Sequence, residues 1–158
     1  MSRDIVDALA DSANDSLNLL QKLIEAVPED LWSAKAGSWP LWQHVAHVVS
    51  GVAGFFLPVD ELPFPAPLTA EIVQFKVAGS GTVDKKVMSD YLKASQAKLE
   101  AFAAALTDAD LARPNEKVLP LGIKWNLARS LTILSGHALY HLGHGDALLR
   151  GRGLPGIF

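Results

Sequence analysis

Apolar residues recur at steps of three and four along four segments of the chain, with polar residues between them. In the first segment, residues 3–27, the pattern ends at Pro28. This spacing places the apolar side chains on one face of an α-helix, so we predict a first amphipathic helix there. Its apolar positions are Ile5, Leu9, Ala13, Leu17, Leu20, Ile24 and Val27.

The second segment predicts a helix that begins at Ser38 and ends at about Leu57. Serine is favoured at helix N-caps, and Pro40 follows in the first turn, where proline is tolerated. Residues 29–37 are expected to be a connection between the first two helices.

A long connector separates the second and third predicted helices. It begins with four prolines within ten residues, which exclude a regular helix because proline lacks the amide hydrogen that a helix interior uses. The connector continues to Thr82 and is therefore about 25 residues long, which is uncommon in a compact domain unless topology or function requires it. The prolines are Pro58, Pro63, Pro65 and Pro67.

The last two helices are predicted over residues 83–106 and 125–150. A second connector, residues 107–122, joins them. No segment shows the strict alternation of apolar and polar residues that is typical of a strand. We therefore predict an all-α four-helix bundle, folded as a single domain over residues 1–158.

Composition and charge exclude several classes of protein. A net charge of −3 over 158 residues gives no electrostatic basis for binding nucleic acid or an anionic membrane surface. The longest apolar stretch, residues 45–59, contains His47 and is shorter than the roughly 20 residues of a membrane span. The N-terminal sequence has no secretory signal pattern, so we expect a cytoplasmic protein. With no cysteine in the chain, any metal must be held by imidazole or carboxylate groups.

All five histidines fall in two short windows, one on each of two predicted helices. His137 and His141 stand four positions apart on the last helix, about 40° apart around its axis, so both rings project to one side. On the second helix, His47 lies on the apolar face, and His44 is expected either to support the site from outside or to lie on the surface.

The positions of these histidines along their helices favour one topology. His47 lies about 12 Å from the start of its helix, and His137 and His141 lie about 14–20 Å from the end of theirs. An antiparallel pairing of the second and fourth helices brings all three to one level. A long crossover after the second helix produces that pairing, so both observations favour it.

Three neutral imidazoles suit Zn(II), Ni(II), Fe(II) or Cu(II) and leave coordination positions for water or substrate. Ala138 stands where a zinc protease helix carries its glutamate, which excludes that mechanism. The paired Glu-x-x-His motif of di-iron bundles is absent, which favours a mononuclear site. His144 lies on the same stripe as His141, so the choice between them as ligands stays open.

Two runs resemble the signatures of the DinB-like (YfiT-like) superfamily. Residues 38–47, SWPLWQHVAH, are similar to its second helix, where a tryptophan-containing start leads to a histidine. Residues 136–144, GHALYHLGH, followed by the basic, glycine-containing residues 148–155, are similar to its last helix. The resemblance extends over nearly the whole chain, but His144 stands where the family usually has glutamine.

The resemblance implies an up-down-down-up four-helix bundle, a metal held by His47, His137 and His141, and frequent homodimers. It does not imply DNA binding. Activities among relatives include metal-dependent hydrolysis and S-transfer that uses a low-molecular-weight thiol. We therefore expect a metal-dependent enzyme, with zinc, nickel or iron, that acts on a small molecule.

A second class of function is a non-catalytic metal-binding or structural helical bundle involved in a stress response. The feature that favours it is the lack of an obvious general base, since no Asp or Glu has a helical spacing from the three histidines. Asp146, five positions after His141, is about 140° around the helix from it and is expected to point away.

Overall fold

The computed structural model describes residues 2–57 and 61–158. Pro58, the predicted start of the crossover, lies outside the described residues. The chain is predominantly helical, as the sequence predicted, with one two-stranded sheet. The elements are α1 Asp4–Ala26, α2 Glu29–Trp32, β1 Lys35–Ala36, β2 Trp39–Pro40, α3 Leu41–Phe56, α4 Ala70–Val73, α5 Lys85–Ala104 and α6 Leu127–Gly151, with short 3-10 helices at Asp108–Ala112 and Leu119–Leu121.

Side-chain caps determine where the last two long helices begin. The Asp84 carboxylate accepts hydrogen bonds from the backbone N–H groups of Lys86 and Val87, and the Asn126 side chain accepts one from that of Arg129. These bonds satisfy amides that have no partner inside the helix. The two helices therefore start two residues later than the apolar pattern predicted.

The prediction that a helix begins at Ser38 was wrong. Gly37 and Ser38 instead form the two-residue turn of a hairpin in which Ala36 pairs with Trp39. Gly37 has a φ of +76°, and glycine adopts this value without steric cost at the first central position of a hairpin turn. Because Pro40 continues the extended backbone as the residue before α3, the helix starts only at Leu41.

The crossover contains one helical turn after its prolines. The Thr69 side chain caps this turn, α4, by accepting a hydrogen bond from the backbone N–H of Ile72. Four apolar residues of the described part of the crossover pack into the core: Leu62, Leu68, Ile72 and Val73. The crossover therefore lies on the body of the protein next to α3, which it contacts through α4.

Helices α3 and α6 run in opposite directions. His44 near the start of α3 contacts His141, and Gly51 lies beside Leu134. Phe55 near the end of α3 contacts Trp125 just before α6. Residue numbers therefore rise along one helix as they fall along the other, which is the pairing that the positions of the histidines favoured.

Helix α1 packs against α6 and α5. Ser16 bonds Ser135 near the middle of α6, and Leu23 lies against Gly145 further along, so α1 and α6 run in the same direction. The Arg3 guanidinium reaches the carbonyl of Ala104 at the end of α5, which makes α1 and α5 antiparallel. Within residues 2–57 and 61–158, no helix combines the length and the apolar character that crossing a membrane requires.

Candidate metal centre

The side chains of His47, His137 and His141 meet between α3 and α6. The Nε2 atom of His137 lies 2.9 Å from Nε2 of His47 and 3.0 Å from Nε2 of His141. One nitrogen from each ring lies within 4.8 Å of the others, close enough for all three to bind one metal ion. The structure therefore brings together the three residues that the sequence predicted.

The proton of His47 is placed by a backbone carbonyl. Its Nδ1 atom lies 2.5 Å from the carbonyl oxygen of Val73 in α4. A carbonyl only accepts hydrogen bonds, so the Nδ1–H group of His47 donates. In the neutral ring the remaining nitrogen, Nε2, then carries a lone pair directed at the cluster.

The hydrogen bonds of His44 indicate which nitrogen of His141 carries the proton. The Nε2–H group of His44 donates to the carbonyl of Ala36 at 2.7 Å, which leaves Nδ1 of His44 as an acceptor. That acceptor lies 2.8 Å from Nδ1 of His141, which must therefore donate. The Nε2 atom of His141 consequently also presents a lone pair to the cluster.

Two lone pairs thus face the single Nε2 atom of His137. One N–H group at that atom cannot fully satisfy both neighbours, and Nδ1 of His137 is buried without a hydrogen-bond partner among the described residues. A cation at the centre would be shared by all three nitrogens. Three neutral imidazoles are also a usual donor set for Zn(II) and related ions, so these residues fit a metal.

Burial keeps the cluster in its neutral, metal-binding form. Desolvation lowers the pKa of His137 to about 4, with repulsion from His47 as a second cause. Desolvation and repulsion from four neighbouring histidines, His137 first among them, lower the pKa of His141 to about 2. Burial also lowers the pKa of His47, against the Val73 hydrogen bond. A metal binds the neutral form of imidazole, not the protonated form.

A pocket of about 330 Å³ opens beside the histidines. Its walls are mostly aromatic: the Phe75 ring lies 4.5 Å from the His47 ring and stacks on Trp39 at 5.3 Å. Among the described residues that line it, none carries a carboxylate, an ammonium or a guanidinium group. The lining consists of Ser38, Trp39, His44, His47, Phe75, Tyr140, His141 and His144.

Gln43 holds the crossover segment over this pocket. Its side-chain amide donates to the carbonyls of Ile72 and Val77, each at 2.8 Å, and its oxygen accepts from the backbone N–H of Gly79 at 3.3 Å. Gln43 is completely buried. These bonds fix residues 72–79, including the Val73 carbonyl that orients His47.

Sequence reasoning missed Phe75 and Gln43. Phe75 lies in a connector that no periodic pattern describes, and it adopts a φ of +56°, which a non-glycine residue rarely adopts. Gln43 did leave a signal, because it is a polar residue in the middle of a strongly apolar helix segment. Such a residue, when buried, needs hydrogen-bond partners from elsewhere in the chain.

Replacing Gly79 with alanine is expected to lower the free energy of unfolding by about 1–3 kcal/mol, the usual cost of overpacking. A Cβ atom at Gly79 would lie 2.1 Å from the Trp42 ring, which is 1% exposed and packed in the core. Chemical denaturation measures the change. Gly81→Ala is the matched control, since a Cβ there meets nothing within 4 Å; equal destabilisation of both variants would contradict the close contact with Trp42.

The remaining candidate residues lie around the cluster or away from it. His44 is buried and bonded to His141 rather than on the surface. His144 stacks on His44 with ring centroids 4.7 Å apart and lies outside the three converging nitrogens. Asp146 points away, as expected, and bonds Arg150, whose guanidinium also donates to the Phe158 carbonyl.

Comparisons with known proteins agree with the fold. The family model described as the DinB superfamily matches residues 13–144. A crystal structure of a DinB-like protein from Bacillus cereus ATCC 10987 superposes with a TM-score of 0.65 at 21% identity, covering 96% of this chain and 97% of that one. A search of curated proteins gave no match. The family match spans most of the chain and both histidine windows, and the chain therefore belongs to the DinB superfamily.

Proposed function

We propose that this protein is a metal-dependent enzyme with a mononuclear site held by His47, His137 and His141. The observation that supports it most directly is the convergence of three Nε2 atoms, two of which carry lone pairs fixed by outer hydrogen bonds. A divalent ion bound there, zinc, nickel or iron, would supply Lewis acidity to a bound water, thiolate or carbonyl group.

We also infer that the four long helices form an up-down-down-up bundle and that residues 1–158 are one domain. The directions of α3 against α6, α1 against α6 and α1 against α5 support this arrangement. In such a bundle α3 and α5 run in the same direction, which the crossover between them permits. The metal site then lies between two antiparallel helices.

The pocket beside the histidines binds a small molecule in this proposal. Phe75 and Trp39 exclude water from one side and offer flat apolar surfaces to the substrate. His44 and the Val73 carbonyl orient two of the ligand rings. Because no charged side chain of the described residues lines the pocket, the substrate is held by stacking and by the metal rather than by ion pairs.

Two reaction classes suit this site: hydrolysis, and S-transfer that uses a low-molecular-weight thiol. Hydrolysis requires only a water in the open coordination position. S-transfer requires a thiol that arrives from solution, since the chain has no cysteine. The sulfur of such a thiol would be the nucleophile beside the three imidazoles.

Assays of zinc-, nickel- and iron-loaded protein separate the two classes. Hydrolysis of aryl esters without thiol supports a hydrolase, and consumption of an electrophile only when a small thiol is added supports an S-transferase. Either activity should fall at least about 100-fold in His47→Ala, because one of the three proposed metal ligands is lost. Activity that persists in this variant would contradict catalysis at the cluster.

The described residues that line the pocket include no carboxylate that could act as a general base. This observation favours a second candidate function, a non-catalytic metal-binding or structural bundle that acts in a stress response. It predicts metal binding without turnover in either assay. Bound metal with no thiol transfer and no hydrolysis across the three metals would favour this candidate over the enzyme.

A further inference from the structure

We propose that His44 is a positioning residue that sets the tautomer of His141 and thereby the metal affinity of the site, although it is not itself a ligand. The inference rests on the proposed metal site. It concerns a residue whose two nitrogens both make hydrogen bonds outside the three converging nitrogens, one to the Ala36 carbonyl and one to Nδ1 of His141.

The hairpin fixes the position of the Ala36 carbonyl. Ala36 is 4% exposed and pairs with Trp39 across the turn at Gly37. The hairpin is tied to α3 at its base, because the backbone N–H of Leu41 donates to the carbonyl of Ala34 at 2.9 Å. The acceptor therefore holds a constant position relative to the helix that carries His44.

The direction of each hydrogen bond follows from that carbonyl. Since it can only accept, His44 must carry its proton on Nε2 and accept at Nδ1. His141 must then carry its proton on Nδ1, the side away from the cluster. Without this acceptor His141 is free to adopt the other tautomer, which places an N–H group where the lone pair for the metal should be.

Neighbouring rings hold His44 in place. His144 stacks on it with centroids 4.7 Å apart and planes 26° apart, and the Phe75 ring lies 5.2 Å away. The residue is only 4% exposed, so water does not compete readily for its nitrogens. These contacts involve the flat ring and would survive replacement of the imidazole by a phenyl ring.

His44→Phe therefore removes both hydrogen bonds while keeping an aromatic ring in the stack. We expect zinc affinity, measured by competition with a chromogenic chelator, to fall about 10–100-fold, the usual effect of losing an outer hydrogen-bond partner of a ligand. His144→Phe is the matched control: the same chemical change in the same stack removes no hydrogen bond of the described residues. Its zinc affinity should stay within about 3-fold of wild type.

Nitrogen-15 NMR of the metal-free protein gives a second readout that a merely structural role would not change. In wild type we expect His44 with its proton on Nε2 and His141 with its proton on Nδ1; in His44→Phe, His141 should lose that single tautomer.

Unchanged zinc affinity in His44→Phe, an equal or larger loss in His144→Phe, or the opposite tautomers in wild type would each overturn the proposal. The wild-type spectrum is decisive even if His44→Phe fails to fold. Failure of wild type to bind any metal would instead refute the proposed function, and the tautomers would still be measurable.

Discussion

Replacing His137 with alanine is expected to reduce bound metal from one ion per chain to less than about a tenth of an ion after dialysis. His137 supplies the central nitrogen of the cluster, 2.9 and 3.0 Å from the other two. Its loss leaves two imidazoles on different helices. We expect the affinity to fall by more than about 100-fold, beyond the loss typical of an outer hydrogen-bond partner. Elemental analysis of dialysed protein gives the metal content.

Thermal and chemical unfolding distinguish the loss of a metal ligand from a general loss of folded structure. At a free metal concentration of 100 Kd, wild type gains about 2.7 kcal/mol from binding, while a variant that binds 100-fold more weakly gains only about 0.4 kcal/mol. His144→Ala, which truncates a histidine outside the three converging nitrogens, should keep the full gain. Undiminished metal in His137→Ala would remove the site assignment, and loss of metal only in His144→Ala would show that the last helix uses a different histidine.

Replacing Gln43 with leucine is expected to destabilise the protein by about 2–4 kcal/mol, because each buried polar group left without a partner costs about 1–3 kcal/mol. Leucine occupies a similar volume but leaves the Val77 carbonyl and the backbone N–H of Gly79 without their Gln43 partner. The Ile72 carbonyl loses the bond from Gln43 and keeps the one from the backbone N–H of Phe75. The Val73 carbonyl lies in the same segment and would lose its fixed position against His47. Zinc affinity should therefore fall together with the free energy of unfolding.

Gln96→Leu is the matched control for Gln43→Leu. Gln96 is a half-buried glutamine of α5 whose side chain bonds Asn18 at an exposed position, and a substitution at the surface changes stability by no more than about 0.5 kcal/mol. Urea denaturation and a zinc competition assay on both variants give the two quantities. If Gln43→Leu unfolds like Gln96→Leu, the crossover is not held by this side chain.

The long helices could be predicted because each has a continuous apolar face and ends at a residue that breaks the pattern, such as Pro28. The segment between α1 and α3 could not. It depends on the pairing of two residues on each side of a turn, too short for any periodicity, and on the choice of Gly37 and Ser38 as turn residues rather than Ser38 as a helix cap. Local preferences allow Ser38 to be either a turn residue or a helix cap. The structure adopts the turn, and the hairpin then contacts α6.

The candidate site could likewise be predicted only in part. The spacing of His137 and His141 on one helix face is a local property, and the level of His47 follows from counting residues along a helix. The role of His44 could not be found in this way, because its partner is the backbone of a hairpin that the sequence did not predict. Phe75 reaches the cluster from a connector segment that Gln43 bonds to α3, and no periodic pattern reports such bonds.

The most direct test of the metal site is a titration of metal-depleted wild-type protein with Co(II), followed by visible absorption. Three imidazoles in a site of low symmetry predict intense ligand-field bands that saturate at one ion per chain, and zinc should displace the cobalt. The same titration of a variant lacking His47, His137 and His141 should give only the spectrum of hydrated cobalt. Saturation at one ion per chain in wild type alone is the predicted result; no bands in wild type, or identical bands in the triple variant, would contradict a three-histidine metal site.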